Sequence, residues 1–305
     1  MDDIVAVTGA TGYVGRFVVA ELLRQGMKVR ALARPESDRG GFDGSTEWID
    51  GSLRSDEALS RLVKDAGAVA HLAYEHVPGR YRGGEGDNLA GWLDANVNGS
   101  LRLLTAAREA RVEKFIFLSS RAVFSRTEPG HDLDESHPIS PDTHYGAYKA
   151  AVESFLHSFA QVEKMQTCSV RATGVYGVTW PVERSKWWGL VNSVVCGEPI
   201  TSNGGGTEVY GGDVARVIST LLKQPVMSVD TVHLSDLYVS HREVVRRARE
   251  ISGIPGDLPP EPSKPPENVM VSRNLSQLGI TLSGLPVVET TVAELVRLAQ
   301  AKMSI

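Results

Sequence analysis

The chain has 305 residues, 42% of them hydrophobic and 23% charged, with a formal net charge of −5. That suffices for one large domain or two unequal ones around a well-buried core, and the dispersed basic residues leave no electrostatic footprint for nucleic acid. Cys168 and Cys196 form neither a metal-ligand spacing nor a disulfide framework, so a reducing compartment is expected, with both as small buried side chains.

The opening "MDDIVAVTG" enters a strand with no basic and apolar leader, and no run approaches the roughly 20 apolar residues of a membrane span. The expected setting is the cytoplasm, with no membrane partner. "DIVAVTGA" is a β-branched run ending in glycine and reads as a buried strand. "GYVGRFVVAELLRQG" follows with helical periodicity and a glycine stop at Gly26. "KVRALAR" and "TEWIDGS" are the next strands, and "SDEALSRLVKDAG" is a helix capped by Ser55 or Asp56. "AVAHLAY", the long helix "NVNGSLRLLTAAREARV" and "KFIFLSS" continue the alternation. The helix "THYGAYKAAVESFLHSFAQVE" and a sixth strand within "QTCSVRATGVYG" complete it.

This β-α alternation implies an α/β fold of Rossmann type, a doubly wound parallel sheet with helices on both faces. Beyond residue 177 the texture changes to tryptophan-rich, glycine-rich and proline-rich stretches, with a final helix over "VETTVAELVRLAQAKM". The expected organisation is a dinucleotide-binding domain over 1–177, with 207–235 returning to it. Segments 178–206 and 236–305 form a smaller substrate-binding lobe.

"TGATGYVG" places Gly9, Gly12 and Gly15 between a strand and a helix. The first glycine permits a tight turn, the second lets a pyrophosphate approach the backbone, and the third packs helix against strand. The helix N-terminus then offers free N–H groups and positive dipole to phosphates. At the end of the second strand, where an NAD site wants an acid for the ribose 2′-hydroxyl, stand Ala33 and Arg34. A guanidinium suits a 2′-phosphate, so NADP is the expected cofactor.

Tyr145 and Lys149, four apart on a helix, share one face and can address the same ligand. Tyrosine is ordinarily too weak an acid to serve as a base at neutral pH, and a neighbouring ammonium favours the phenolate. Tyr148 lacks a lysine four positions on and is expected to pack or to line the pocket.

"TGATGYVG", "HLAY", "NVNGS", "FLSSRAVF", "YGAYK" and "ATGVYG" occur in an order and spacing that resemble the extended short-chain dehydrogenase/reductases, the NAD-dependent epimerase/dehydratase group. The resemblance implies Ser120, Tyr145, Lys149 and Asn96 as the catalytic set, with Lys149 also on the nicotinamide ribose. Asn96 equally fits a helix N-cap. It implies a cofactor lined by Gly9, Thr11, Gly12, Tyr13, Val14, Gly15, Arg34, Leu53, Leu72, Ala73, Tyr74, Ser119, Ala172, Thr173 and Val175, besides Tyr145 and Lys149. Ser52 stands where an aspartate often holds adenine, with Asp50 near it.

Several positions depart from the pattern. Arg121 and Ala122 replace the Asp-Glu pair of the family's dehydratases and cannot do their acid/base work. Gly206 stands about where many nucleotide-sugar enzymes carry a diphosphate-gripping arginine, with Arg184 or Lys186 as substitutes. Trp180, Trp187 and Trp188 fit stacking on a flat ligand or packing of the lobe. His76, Arg80 and Arg82, on the loop after the fourth strand, are substrate candidates, and no histidine spacing suggests a metal. Three activities remain open: epimerisation of a sugar or sugar nucleotide by transient oxidation, NADPH-dependent reduction of a small ketone or aldehyde, and non-catalytic NADP-binding redox sensing. The partner is a small molecule. The resemblance also implies a homodimer contact in which Leu101, Leu104, Val152 and Phe155 would serve, unless they face the core.

Overall fold

The computed structural model describes residues 4–303 apart from 43, 78, 81, 82, 126, 128, 129 and 263–267. A seven-stranded parallel sheet carries the chain. Its strands are β1 (Ile4–Thr8), β2 (Lys28–Ala33), β3 (Thr46–Asp50), β4 (Ala66–His71), β5 (Lys114–Ser120), β6 (Gln166–Ala172) and β9 (Thr231–Leu234). They lie in the order β3-β2-β1-β4-β5-β6-β9. The order reverses beside β1, which puts the carboxyl ends of β1 and β4 at the crevice where such sheets take ligands.

Alternation along each strand splits the core in two. Val5 and Val7 face one side, where they pack with α1 (Tyr13–Arg24) and α7 (Gly211–Lys223). Ala6 faces the other, with α2 (Asp56–Val63), α4 (Gly99–Glu109) and α5 (His144–Val162). Both faces are covered, so these strands read as continuous apolar runs. Ser55, not Asp56, caps α2, its hydroxyl accepting from Ala58 N at 3.2 Å. Before α4 lie α3 (Leu89–Leu93) and one π turn (Asp94–Asn98), so the long helix predicted from Asn96 starts earlier and bulges at that residue.

The sixth predicted strand divides. Gln166–Ala172 joins the large sheet, whereas β7 (Gly174–Tyr176) leaves it for a three-stranded sheet with β8 (Gly205–Tyr210) and β10 (Leu237–Ser240). A third cluster, led by Tyr176, Trp187 and Trp188, joins this sheet to α6 (Trp188–Val195), α8 (His241–Ser252) and α9 (Gly284–Met303). Cys196, expected inside, is exposed because it ends α6 at the surface, whereas Cys168 is buried in β6. Among the described residues no helix is long and apolar enough to cross a membrane.

Candidate active site

The glycine turn follows β1 and begins α1. Gly9 has φ +74°, and a Cβ there would lie 2.6 Å from Ala73 N. A Cβ on Gly15 would lie 2.0 Å from Gly9 O, so only glycine lets α1 seat on the strand end. Gly12 is the N-cap, no side chain caps the helix, and its first turn holds no acid. Thr11 and Val14 flank the turn half-buried. The Tyr13 hydroxyl donates to Gly177 O at 2.8 Å and receives Lys186 N at 3.1 Å, which ties the turn to the smaller sheet's segment.

At the end of β2, Arg34 is exposed and pairs with Glu36 at 3.1 Å. Asp50 is taken by Arg39. Ser52 Oγ accepts from Arg54 N at 3.3 Å, and Leu53 is buried core. Arg16, which has no signal in the sequence motifs, donates from α1 to Gly40 O (2.5 Å) and Asp38 O (2.9 Å), fixing the loop after β2.

At the end of β4 a buried relay runs between strands and helix. Ala73 N donates to Thr8 Oγ1 (3.3 Å), which lies 2.7 Å from His71 Nδ1. His71 Nε2 lies 2.8 Å from Ser100 Oγ, and Ser100 donates to Asn96 O at 2.5 Å. Because Ser100 spends its proton on a carbonyl, the relay assigns the ring proton of His71 to Nε2. Burial, with Lys149 second, pushes this imidazole down to about 3, which keeps it neutral. Asn96 is fully buried in the π turn and is not an N-cap. Its Oδ1 accepts from Glu75 N (2.8 Å), and its Nδ2 donates to Glu75 O (2.9 Å) and Trp92 O (3.0 Å). Asn96 therefore fixes the main chain that follows Leu72, Ala73 and Tyr74.

Helix α5 presents Tyr145 half-buried at its first turn and Lys149 buried at 3% exposure one turn on. Lys149 Nζ donates to Leu118 O at 2.7 Å, beside Ser119 and Ser120. Aromatic faces surround it: Phe117 at 4.5 Å, Tyr148 at 4.8 Å, Tyr145 at 5.7 Å and Tyr74 at 5.8 Å. Burial pushes the ammonium down to about 7, with Glu153 opposing. Tyr148 is core, 1% exposed, and stacked on Tyr74 at 5.9 Å. Gly146, unremarked in the sequence, is decisive for the approach of α5. A Cβ there would lie 2.2 Å from Ala122 O, in the turn that follows Ser120.

Ser120 ends β5 half-buried, its Oγ accepting from Ala122 N at 3.1 Å. Ser119 turns the other way, because alternate residues of a strand face opposite sides. Its hydroxyl donates to buried Glu153, so its side chain faces α5. Ala172 pairs with Ser120 across β5 and β6, Thr173 donates from Oγ1 to Leu234 O at 3.2 Å, and Val175 follows in β7.

The substrate candidates separate. His76 stacks on Tyr74 at 4.9 Å, Arg80 is exposed, and Arg82 lies outside the described residues. Trp180 is exposed at 58%, whereas Trp187 and Trp188 are buried packing. Arg184 donates to Thr11 O at 3.2 Å. Lys186 is held by both oxygens of Glu208, at 2.6 and 2.5 Å. Of the apolar residues considered for a subunit contact, Leu104 and Val152 are fully buried in the core, and Phe155 is 43% exposed.

Comparison with known proteins places these features. A sequence model of the NAD dependent epimerase/dehydratase family matches residues 5–233. A 4-hydroxy-2-methyl-3-oxo-4-farnesyl-3,4-dihydroquinoline-1-oxide ketoreductase from Stigmatella aurantiaca is 32% identical over 153 residues, 49% of this chain and 44% of its own length. The chain thus spans under half of that relative. A UDP-glucose 4-epimerase from Streptomyces lividans is 27% identical over 257 residues, covering 79% of this chain and 71% of its own. The UDP-glucose 4-epimerase of Thermus thermophilus, solved in complex with NAD, superposes with a TM-score of 0.79 at 24% identity. That superposition covers 96% of this chain and 98% of the other and speaks for the fold. With its glycine turn, its seven-stranded sheet and a family match over most of its length, the chain belongs to the NAD dependent epimerase/dehydratase family.

Proposed function

We propose that the chain is an enzyme that transfers hydride reversibly between a nicotinamide dinucleotide and a secondary alcohol or ketone of a sugar or sugar-nucleotide-like substrate. One observation carries this reading: Lys149, one turn from Tyr145, is buried with its ammonium fixed beside Ser119 and Ser120. The uncapped N-terminus of α1 fits a pyrophosphate, with Gly12 at the cap and no acid in the first turn. The dinucleotide, when bound, supplies the hydride donor or acceptor. Ala33 and Arg34 favour NADP, since neither offers an acceptor to a ribose 2′-hydroxyl.

Tyr145 then moves the proton, taking it from a carbinol in oxidation and giving it to a carbonyl in reduction. The Lys149 ammonium supports the anionic form of Tyr145 by charge. Ser120 orients the substrate oxygen. Asn96 acts through Glu75, fixing the strand-end loop that carries Tyr74. Phe155, exposed on α5, supports a homodimer contact.

A second reading, reduction of a small ketone, is favoured by one feature. Lys186, a substitute for the arginine absent at Gly206, is already neutralised by Glu208, which weakens its grip on a diphosphate. The test is turnover of NADPH or NADH against a panel of nucleotide sugars, free sugars and small ketones. Wild type turns over at least one class. Tyr145→Phe loses about 10³-fold or more of that rate, within the range such proton transfers contribute, and keeps dinucleotide affinity within about threefold. Tight dinucleotide binding without turnover on any class would sink the catalytic reading in favour of a sensor.

A further inference from the structure

Three strands contribute one residue each to a row beneath α5. Ser119 of β5 is in register with Arg171 of β6, and Arg171 with His233 of β9. All three are at most 7% exposed. Above the row stands Glu153, one turn beyond Lys149 on α5 and 8% exposed. Its Oε1 accepts the Ser119 hydroxyl and Arg171 Nε (3.1 Å), and its Oε2 accepts Arg171 Nε (3.2 Å) and Nη2 (2.7 Å). Arg171 Nη1 lies 3.2 Å from His233 Nε2. His233 Nδ1 lies 3.0 Å from both Leu133 O and Val271 O. Two carbonyls at Nδ1 require its proton, so Nε2 is the acceptor for Arg171 and the ring is neutral. Burial, together with Arg171, lowers the basicity of His233 against the pull of Glu135.

A buried ion pair of this quality is weak evidence for stability, because desolvation cancels much of its attraction. Its place is more telling. Glu153 fixes the hydroxyl of Ser119, and the residues on either side of Ser119 are Ser120 and Leu118, whose carbonyl receives Lys149. Glu153 is also the carboxylate whose charge opposes the loss of the Lys149 proton. One side chain thus bears on both partners of Tyr145.

We propose that Glu153 is a positioning residue for hydride transfer, which holds the Leu118–Ser120 strand end in place and keeps Lys149 charged, with Arg171 and His233 as its support. The claim rests on the function proposed above. The charged and titratable groups facing Lys149 are Tyr145, Tyr148 and Glu153 from α5, Tyr74 from the loop after β4, and His71 from β4. Those facing Glu153 are Lys149, Arg171 and Cys168. Of these, Glu153 is the carboxylate beside the ammonium, so its neutralisation favours release of the Lys149 proton.

The experiment compares wild type, Glu153→Gln and the double variant Glu153→Gln/Arg171→Gln, which removes the Arg171 cation together with its carboxylate partner. Two readouts are taken: kcat against pH, and the titration of the Lys149 side chain followed by NMR of the lysine Cε, assigned with Lys149→Met. The expected result is a fall in kcat of about tenfold or more with KM and dinucleotide affinity within about twofold. The alkaline limb of the profile moves to lower pH, and Lys149 titrates lower by a similar amount. Glu153→Asp, which keeps the charge, restores the position of that limb. A wild-type profile and an unmoved Lys149 titration in Glu153→Gln, or in the double variant if the single one does not fold, would overturn the proposal. The NMR titration stands without turnover, so failure of the proposed function and failure of the Glu153 role are separable.

Discussion

Replacing Lys149 with methionine should make the protein inactive and, at neutral pH, more stable. An unfolded chain keeps this lysine protonated up to its ordinary value of 10.5, and the folded chain only to about 7. The gap of about 3.5 pH units corresponds to about 5 kcal/mol by which burial disfavours the charge. Methionine removes that penalty. It also leaves Leu118 O without its 2.7 Å donor, at about 1–3 kcal/mol, and gives up the aromatic contacts to Phe117 and Tyr148. The balance is a gain of about 2 kcal/mol at pH 7.

The sign of the pH dependence follows from linkage. Between pH 7 and 10.5 the unfolded state binds a proton that the folded state does not, so wild-type stability from this residue rises with pH across that window. The advantage of Lys149→Met therefore shrinks by about 1.4 kcal/mol per pH unit above 7, and is level below it. Urea unfolding of both proteins from pH 6 to 9, without cofactor, reads this difference directly, because groups common to both cancel. A variant less stable than wild type at pH 6 and 7, or a difference that does not change with pH, would refute the reasoning.

Gly146→Val drives its Cβ into Ala122 O and separates α5 from the turn after Ser120. Overpacking of this kind costs about 1–3 kcal/mol, and a displacement near 1 Å costs about 10²-fold in kcat; unfolding midpoints and turnover at saturating dinucleotide check both. Asn96→Ala strips the half-buried Glu75 main chain of the Asn96 side chain at both its N–H and its carbonyl, and a stability loss of about 1–3 kcal/mol follows. Hydrogen exchange localises that loss, with faster exchange at Glu75 expected and unchanged protection there contradicting the role. Gly15→Val displaces α1 from Gly9 O. It should abolish dinucleotide binding, which calorimetric titration measures.

Much of this fold is legible because its signals are local. Strand runs ending in glycine, helices with glycine stops, and a lysine four residues after a tyrosine each lie within one element. The features without a sequence signal depend on residues far apart along the chain. Glu153, Arg171 and His233 meet only because β5, β6 and β9 lie side by side in register, and singly each reads as an ordinary charged or polar residue. Asn96 resembles an N-cap because it opens the helical run "NVNGS", but the π turn carries it inward. Ser119 and Ser120 are adjacent serines, and only strand alternation against Glu153 separates their roles. The departure of Gly174–Tyr176 to the smaller sheet is hidden for a related reason, since its β partner comes from residues 205–210, which pair in turn with 237–240.

The central claim is that the glycine turn and the Tyr145–Lys149 helix together serve a nicotinamide dinucleotide. It is tested most directly by incubating the purified protein with an equimolar mixture of NAD and NADP, removing the free ligand, denaturing, and quantifying what is released by mass spectrometry. The account predicts one dinucleotide per chain, with NADP in excess over NAD. Recovery of neither would contradict it, and stoichiometric NAD alone would leave the hydride-transfer site standing while overturning the role given to Arg34.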